Sequence, residues 1–472
     1  MFLNKKNISQ NQLLNFLFCL IPVSLIIGSL VVNLNILLLI IVSFFYIKKN
    51  KYNFTFDYTN ILLTIFFLFV IFTTFLNVEQ NNYGSTIKSI LLIRFLLLYF
   101  VIELLIKNNK LNLVNFFIIS LVCTVFVSVD VIIQYVFGKD IFGYTRWDGM
   151  IGGPFEHEAI AGTYIQKFSL FSVFGCMFLF KNKNLNKKIL FLVILLLLIG
   201  AFLASNRMST IILIGSFVLL FLFYKKTRLP IFASFMAFIL IASLVINFDS
   251  VVKKKYQHLY KRFVVEKNTN NESEILNSEK NVKKEVVDLT SSYHYRIYMT
   301  VLESWKHSPI IGHGHKSFRT KCQIIANKEN KYSCSTHPHN YHLQVLHDFG
   351  ILGFLLISAF IFLIFLKAFK KLRQKTFRDS NFKLFFFPII IALMFEVWPI
   401  KSTGDLFTSW NGAIVWLIVA LSTIANSNFF DKTFNQPLKE KKKLISLFSL
   451  IGLGSLIFKK MYIHLELLLF YS

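Results

Sequence analysis

Apolar runs the length of a bilayer crossing recur along this chain, and they constrain its fold more than any other feature. VVNLNILLLIIVSFFYI (31–47) and ILFLVILLLLIGAFLA (189–204) are two examples. About 20 apolar residues in a helix span the hydrocarbon core, and a water-soluble protein has no need of such blocks in series. Twelve spans are expected, at 12–28, 31–47, 59–77, 87–106, 113–137, 160–180, 189–204, 209–224, 229–247, 345–366, 384–400 and 411–425. The run 444–458 is short and reads as interfacial. No stretch reads as a cleavable signal peptide, so the first span would serve as the insertion signal. The expected fold class is therefore all-α, a polytopic integral membrane protein.

The net charge of +27 matters chiefly for where it lies. Lysine clusters at Lys5–Lys6, Lys48–Lys51, Lys107–Lys110, Lys181–Lys188, Lys225–Arg228, Lys367–Lys375 and Lys439–Lys443 all fall on one side of a twelve-span topology, which makes that side cytoplasmic. The expected division is then spans one to nine in 1–247, a large outer loop at 248–344, spans ten to twelve in 345–425, and a cytoplasmic or interfacial tail at 426–472. Nine of the eleven histidines lie between His258 and His347, and His157 falls in another outer loop. Chemistry is expected on the outer face.

Within the large loop, 265–285 is polar, without apolar periodicity, and reads as a mobile insertion. The stretch 251–264 mixes bases with apolar residues and suits a basic helix on the membrane surface, or simply a solvated one. A helix is expected from Ser292 to His307, stopped by Pro309 and Gly312. Its Arg296, Thr300, Glu303 and His307 would share one face, with Tyr298, Leu302 and Trp305 on a core-like face. Asn340 is a candidate N-cap for the next long helix, with His339 just before its N-terminus. Gly350 and Gly353 would give that helix a small-residue packing face.

Cys19, Cys123 and Cys176 sit in spans as small buried hydrophobes. Cys322 and Cys334 share the outer loop, where an oxidising compartment would let them pair, stabilising by up to about 3 kcal/mol in the chain-entropy model.

These residues resemble the O-antigen ligase and polymerase superfamily of bacterial membrane glycosyltransferases. The ligase pattern in the outer loop is His, then Asn, Ser or Gln, nine residues, Gly, two residues, and Gly, Thr or Tyr. His339-Asn340, followed by 341–349, Gly350 and Gly353, matches it in full. RIYMTVLESWKHSPIIGHGHKSF (296–318) resembles the family's arginine helix and its Pro-Ile-Ile-Gly-x-Gly-like turn, and Ser205-Asn206-Arg207 resembles a short outer hairpin with a second arginine. RWDGMIGGPFEHEAIAGTY (146–164) resembles a family segment that commonly carries Asn-like residues where His157 or Glu158 stand, and the 265–285 insertion lies outside the pattern.

The ligase branch of the resemblance implies transfer of a glycan from undecaprenyl diphosphate to a lipid A–core hydroxyl. The chain would sit in the bacterial inner membrane, with its site facing the periplasm. It implies His339 as base, since imidazole titrates near neutrality. Arg296 and Arg207 would clamp the diphosphate through paired, permanently charged donors. His337, Asn340, His342, Arg94 and Arg146 are further substrate-binding candidates, Arg94 alternatively being the partner of Glu396. His347 reads as a packing or hydrogen-bonding residue. No cofactor is expected, and no nucleic-acid partner: no phosphate-binding glycine loop is present, and the activated sugar would arrive on its lipid.

Three other readings compete. A polymerase of the same superfamily would use a second lipid-linked glycan as acceptor. A transporter would explain the intramembrane charges Arg94, Glu103 and Glu396, but not the histidine-rich loop. The pairs His313-x-His315 and His337-x-His339 with two cysteines could ligate zinc, but the regular spacing of a zinc motif is missing, so a metal-independent site is expected.

Overall fold

The computed structural model describes residues 9–427, apart from 55, 79–82, 148–149, 157, 181–182, 205, 255–263, 268–283, 288–291, 328, 330 and 375–381. The described chain is almost entirely helical: α1 (Gln10–Ile27), α2 (Ser29–Lys49), α3 (Tyr58–Leu76), α4 (Tyr83–Leu91), α5 (Ile93–Lys107), α6 (Leu113–Phe137), α7 (Ala161–Leu179), α8 (Lys183–Leu203), α9 (Arg207–Phe223), α10 (Arg228–Phe248), α11 (Tyr293–Trp305), α12 (Phe318–Ala326), α13 (Tyr341–Arg373), α14 (Lys383–Glu396) and α15 (Ser409–Leu421). Helix starts are set by short polar side chains that satisfy orphan N–H groups. Asp57 accepts from Asn60 N–H at 3.0 Å, Asn112 from Asn115 N–H at 2.9 Å, and Asn206 from Ser209 N–H at 3.2 Å.

All twelve apolar stretches fall on helices, and among the described residues eight helical segments are long and apolar enough to cross a membrane. The chain is a multi-pass membrane protein. The others differ for visible reasons. Gln166 and Lys167 dilute the apolarity of α7, α9 has 17 residues, α14 has 14 and α15 has 13. Phenylalanine fills the interior, as where Phe117 stacks on Phe171 and Phe178 on Phe385, while Trp416 lies between Phe67 and Phe95.

The two ends of the bundle differ in character. Helix α13 starts beside the histidines and ends in Lys370, Lys371 and Arg373. Near that basic end Lys367 pairs with Asp57, the cap of α3, at 2.6 Å. At the far end of α3, Thr74 accepts from His315 N–H at 3.0 Å. The histidine loop therefore caps the end opposite the lysines.

In the segment preceding α11, Val264–Lys267 pairs antiparallel with Lys284–Val287, so the ends of the expected insertion form a short two-stranded ladder. Its centre, most of the 251–264 stretch, His157, Ser205 and the 444–458 run with the rest of the tail beyond 427 lie outside the described residues.

Helix α11 runs close to its expected limits, but its buried face is Ile297, Thr300, Val301 and Ser304, not Tyr298, Leu302 and Trp305. The reason is polar tips. The Tyr298 hydroxyl bonds Asn340, and Trp305 Nε1–H donates to Pro309 O at 3.0 Å, which holds both rings at the rim. The branched aliphatics have no such need.

Gly350 also does a different job from the one expected. Its φ of 61° and ψ of −167° break α13 rather than smooth its surface. The turn 309–314 supplies the partners that the break exposes. Ile351 N–H donates to Pro309 O (2.9 Å) and Leu352 N–H to Ile310 O (3.2 Å), while His313 N–H reaches His347 O (3.2 Å) and Gly314 N–H reaches Asp348 O (2.7 Å). A Cβ on Gly350 would stand 2.2 Å from Ile310 O, and one on Gly312 would stand 2.4 Å from Phe349 N. The two motifs are thus one structural unit.

Candidate functional site

The segment 333–340 is held from three sides. Cys334 is disulfide-bonded to Cys322 of α12, Cα atoms 5.1 Å apart. Ser333 exchanges hydrogen bonds with the Thr300 hydroxyl of α11 at 2.8 and 3.0 Å. From the loop between α14 and α15, Thr403 N–H donates to His339 O at 2.8 Å, and the Asn340 amide donates to Pro399 O at 2.6 Å. His339 itself takes a left-handed backbone, φ 57°, which turns its ring away from the helix axis.

That ring lies in a cluster. His337 is 4.1 Å away and His294 of α11 5.2 Å away, centroid to centroid, and Nε2 is 3.1 Å from the Ser335 hydroxyl. Burial, then the neighbouring His337 and His294, push the His339 pKa down to about 4, against the opposing pull of Thr403. Burial also lowers His337. Both rings are neutral at physiological pH and can accept a proton.

His337 and His339 open onto a cavity of about 270 Å³ walled by Asn206, Lys167, Tyr341, Lys401 and Thr403. Its floor is a buried ion triad. Glu396 of α14 takes Lys167 of α7 on one oxygen and Lys401 on the other, the latter at 3.0 Å. The Tyr341 hydroxyl donates to the same carboxylate at 2.9 Å and accepts from the Asn411 amide at 2.8 Å. Two lysines against one carboxylate leave one positive charge beneath the imidazoles.

The other expected residues divide. Arg207 begins α9 between Asn206 and Met208, both of which line this cavity. Arg296 lies about 200° around α11 from His294 and Tyr298; it lines neither this cavity nor the larger one beside it, and its Nε is enclosed without a hydrogen-bond partner. Arg94 lines the larger cavity, of about 710 Å³, which shares His337 with the first. It does not pair with Glu396, because the lysines hold that carboxylate.

Asn340 caps α13 through Leu343 N–H at 3.1 Å, and its amide is engaged by backbone carbonyls, so its role is to hold the loop rather than to meet substrate. His342 turns to the opposite side. It bonds Val397 O at 2.9 Å and faces an apolar cavity of about 320 Å³. Arg146 is also elsewhere. Its guanidinium lies over Tyr135 at 4.9 Å and donates to the last-turn carbonyls of Gln134 and Tyr135, closing the end of α6.

His347, buried, bonds the Ser304 hydroxyl at 2.9 Å and Asp348 at 2.8 Å. This is the connectivity of a hydrolase triad, but all three residues are buried away from the cavities described, so it serves as a packing node. Glu103, at the basic end, is held by Lys107 at 2.8 Å and Asn60 at 2.9 Å. Lys167, Lys401 and Thr403 were not among the expected site residues. A lysine in the apolar run of α7 was the signal available for the first.

Residues 191–358 match the family described as O-antigen ligase. That stretch is similar to the O-antigen ligase family. The matched O-antigen ligase region contains Arg207, Arg296, the histidine loop and the Gly350 break, while Lys167, Glu396 and Lys401 come from outside it. A Rickettsia felis protein named "Putative polysaccharide ligase" is 25% identical over 122 residues. That alignment covers 25% of this chain and 28% of the relative's length.

Proposed function

We propose that the protein is a glycosyltransferase of the ligase type that moves a glycan from undecaprenyl diphosphate to a lipid A–core hydroxyl, at the periplasmic face of a bacterial inner membrane. The observation that carries this reading is a neutral, half-buried imidazole, His339, in a small cavity at the end of an apolar bundle opposite its lysines.

His339 takes the proton of the acceptor hydroxyl as its oxygen attacks the anomeric carbon. The bond from that carbon to the diphosphate oxygen breaks, and undecaprenyl diphosphate departs with the electron pair. The negative charge gathering there is met by the net positive Lys167–Glu396–Lys401 floor and by Arg207, whose chain neighbours Asn206 and Met208 line the cavity. Attack opposite the leaving group inverts the anomeric centre.

The test is transfer by the purified protein from an undecaprenyl-diphosphate glycan to lipid A–core. His339→Ala is expected to lose about 100- to 10,000-fold in rate. Arg207→Lys is expected to be impaired, because lysine keeps the charge but not the paired donors. Full transfer by His339→Ala would refute the base assignment. Use of a second lipid-linked glycan in preference to lipid A–core would replace ligase by polymerase.

A further inference from the structure

Far from the histidines, the lysine end of α7 to α10 carries positive charge with nothing nearby in the chain to balance it. No aspartate or glutamate occurs between Glu158 and Asp249, while 181–188 holds four lysines and 225–228 two lysines and an arginine. Arg228 is spent locally. Its guanidinium donates to Phe221 O at 2.9 Å and to Leu222 O at 3.0 Å, closing the end of α9. Lys187 and Lys188 are exposed and, among the described residues, make no ion pair. Lysines gathered on one side are common to membrane proteins, so charge by itself names no ligand. What sets this pair apart is the surface beside it.

Lys187 and Lys188 share the lining of a recess of about 400 Å³ between the early turns of α8 and α10. Phe191 and Leu192, one turn further along α8, form one wall, and Leu229, Pro230 and Ala233 form the other. Both helices start at the lysine end, so they lie side by side and parallel. They make contact beyond the recess, where the Ser234 hydroxyl donates to Phe191 O at 2.9 Å and Phe202 meets Phe238 edge to face, centroids 5.7 Å apart. The small side chain of Ala233 leaves space above that contact. Leu192, Leu229, Phe232 and Met236 around it are all exposed, as apolar side chains turned to lipid are in a multi-pass protein. The recess therefore has apolar walls open to hydrocarbon and two cations at one end.

We infer that this recess binds one anionic phospholipid from the leaflet at the lysine end. Its phosphate lies between Lys187 and Lys188, and one acyl chain runs along Phe191, Leu192, Leu229 and Ala233. A soluble anion would satisfy the lysines but leave the apolar walls unused, and a neutral lipid would do the reverse. Basic pockets between spanning helices are where acidic headgroups settle, and the lysine stems add apolar cover over the first part of the chain. The site lies at the opposite end of the bundle from His339 and does not depend on the proposed transfer reaction.

The test is native mass spectrometry of the purified full chain in neutral detergent, titrated with phosphatidylglycerol or with phosphatidylcholine of the same acyl chains. The first lipid bound is expected to be phosphatidylglycerol, by about tenfold or more in affinity, as two lysines at a membrane surface imply. Lys187→Gln/Lys188→Gln should remove that preference. Lys225→Gln/Lys226→Gln deletes the same charge from exposed lysines that do not line the recess, and should keep it. Ala233→Leu fills the acyl seat without touching any charge and should weaken phosphatidylglycerol binding about tenfold, with circular dichroism confirming its helix content. Equal losses in the two lysine pairs would mean diffuse attraction to the whole basic end and overturn the site. Full affinity in Ala233→Leu, or no preference in the unaltered protein, would overturn it as well.

Discussion

At the scale of the residue, His339 is a proton acceptor whose environment keeps it neutral. Its pKa of about 4 reflects burial first and the two neighbouring imidazoles next. An anion bound beside it favours the imidazolium and raises that value. The pH profile of kcat/KM, which reports the free enzyme, should therefore fall only as pH drops towards about 4, while the acid limb of kcat should lie at higher pH. Coincident limbs near the ordinary histidine value would argue against His339 as the base.

The same rings link folding to acid. His313 and His339 are pushed down to about 4 and His315 to about 3, in each case mainly by burial. The unfolded chain then binds more protons between these values and about 6.5. Their stabilising effect is complete above about pH 6.5 and is lost as pH falls towards 4, so the thermal midpoint in detergent should drop between pH 7 and pH 5. His339 was legible from its motif. The fates of His337 and His342 were not, because three residues along a loop and a helix start can turn side chains to opposite sides.

At the scale of the element, the decisive unit is the Gly350 break with the 309–314 turn docked in it. Gly350→Ala forces a Cβ into a conformation that L residues avoid and against Ile310 O, and should destabilise by at least about 2 kcal/mol, read as a lowered melting temperature. Gly353→Ala needs no left-handed backbone, but its Cβ would stand 2.4 Å from the Phe349 Cβ, so it too should lower the melting temperature. The Cys322–Cys334 bond ties the histidine segment to α12 three residues before His337. Cys334→Ser should loosen that segment and reduce transfer while leaving the helix content unchanged by circular dichroism. The turn and the glycine were each readable as motifs. That they complete one another's hydrogen bonds was not, since nothing local in either stretch encodes a partner some 40 residues away.

At the scale of the whole molecule, helices far apart in the chain meet in the Lys167–Glu396–Lys401 triad. Removing one member of a buried ionic group strands the others, typically at about 3–5 kcal/mol, whereas replacing all members with apolar residues is often neutral. Glu396→Gln should therefore lower the melting temperature sharply, and Lys167→Met/Glu396→Leu/Lys401→Met should recover most of it without recovering transfer. Recovery of both would show that the triad holds the fold and does nothing for the site.

The sequence by itself determined the helical, membrane-spanning class, the clustering of basic ends, the α13 cap at Asn340 and the ligase-like histidine motif. Each depends on periodicity, charge or spacing within a few turns of chain. Only the tertiary structure decided that Lys167 rather than Arg94 answers Glu396, that Arg146 closes α6, that His342 faces an apolar cavity, and that Arg94 joins Lys316 and Arg319 around the larger cavity beside His337. Those outcomes turn on which faces of distant helices meet. In an apolar bundle the few buried charges must find whichever partner the packing brings within reach.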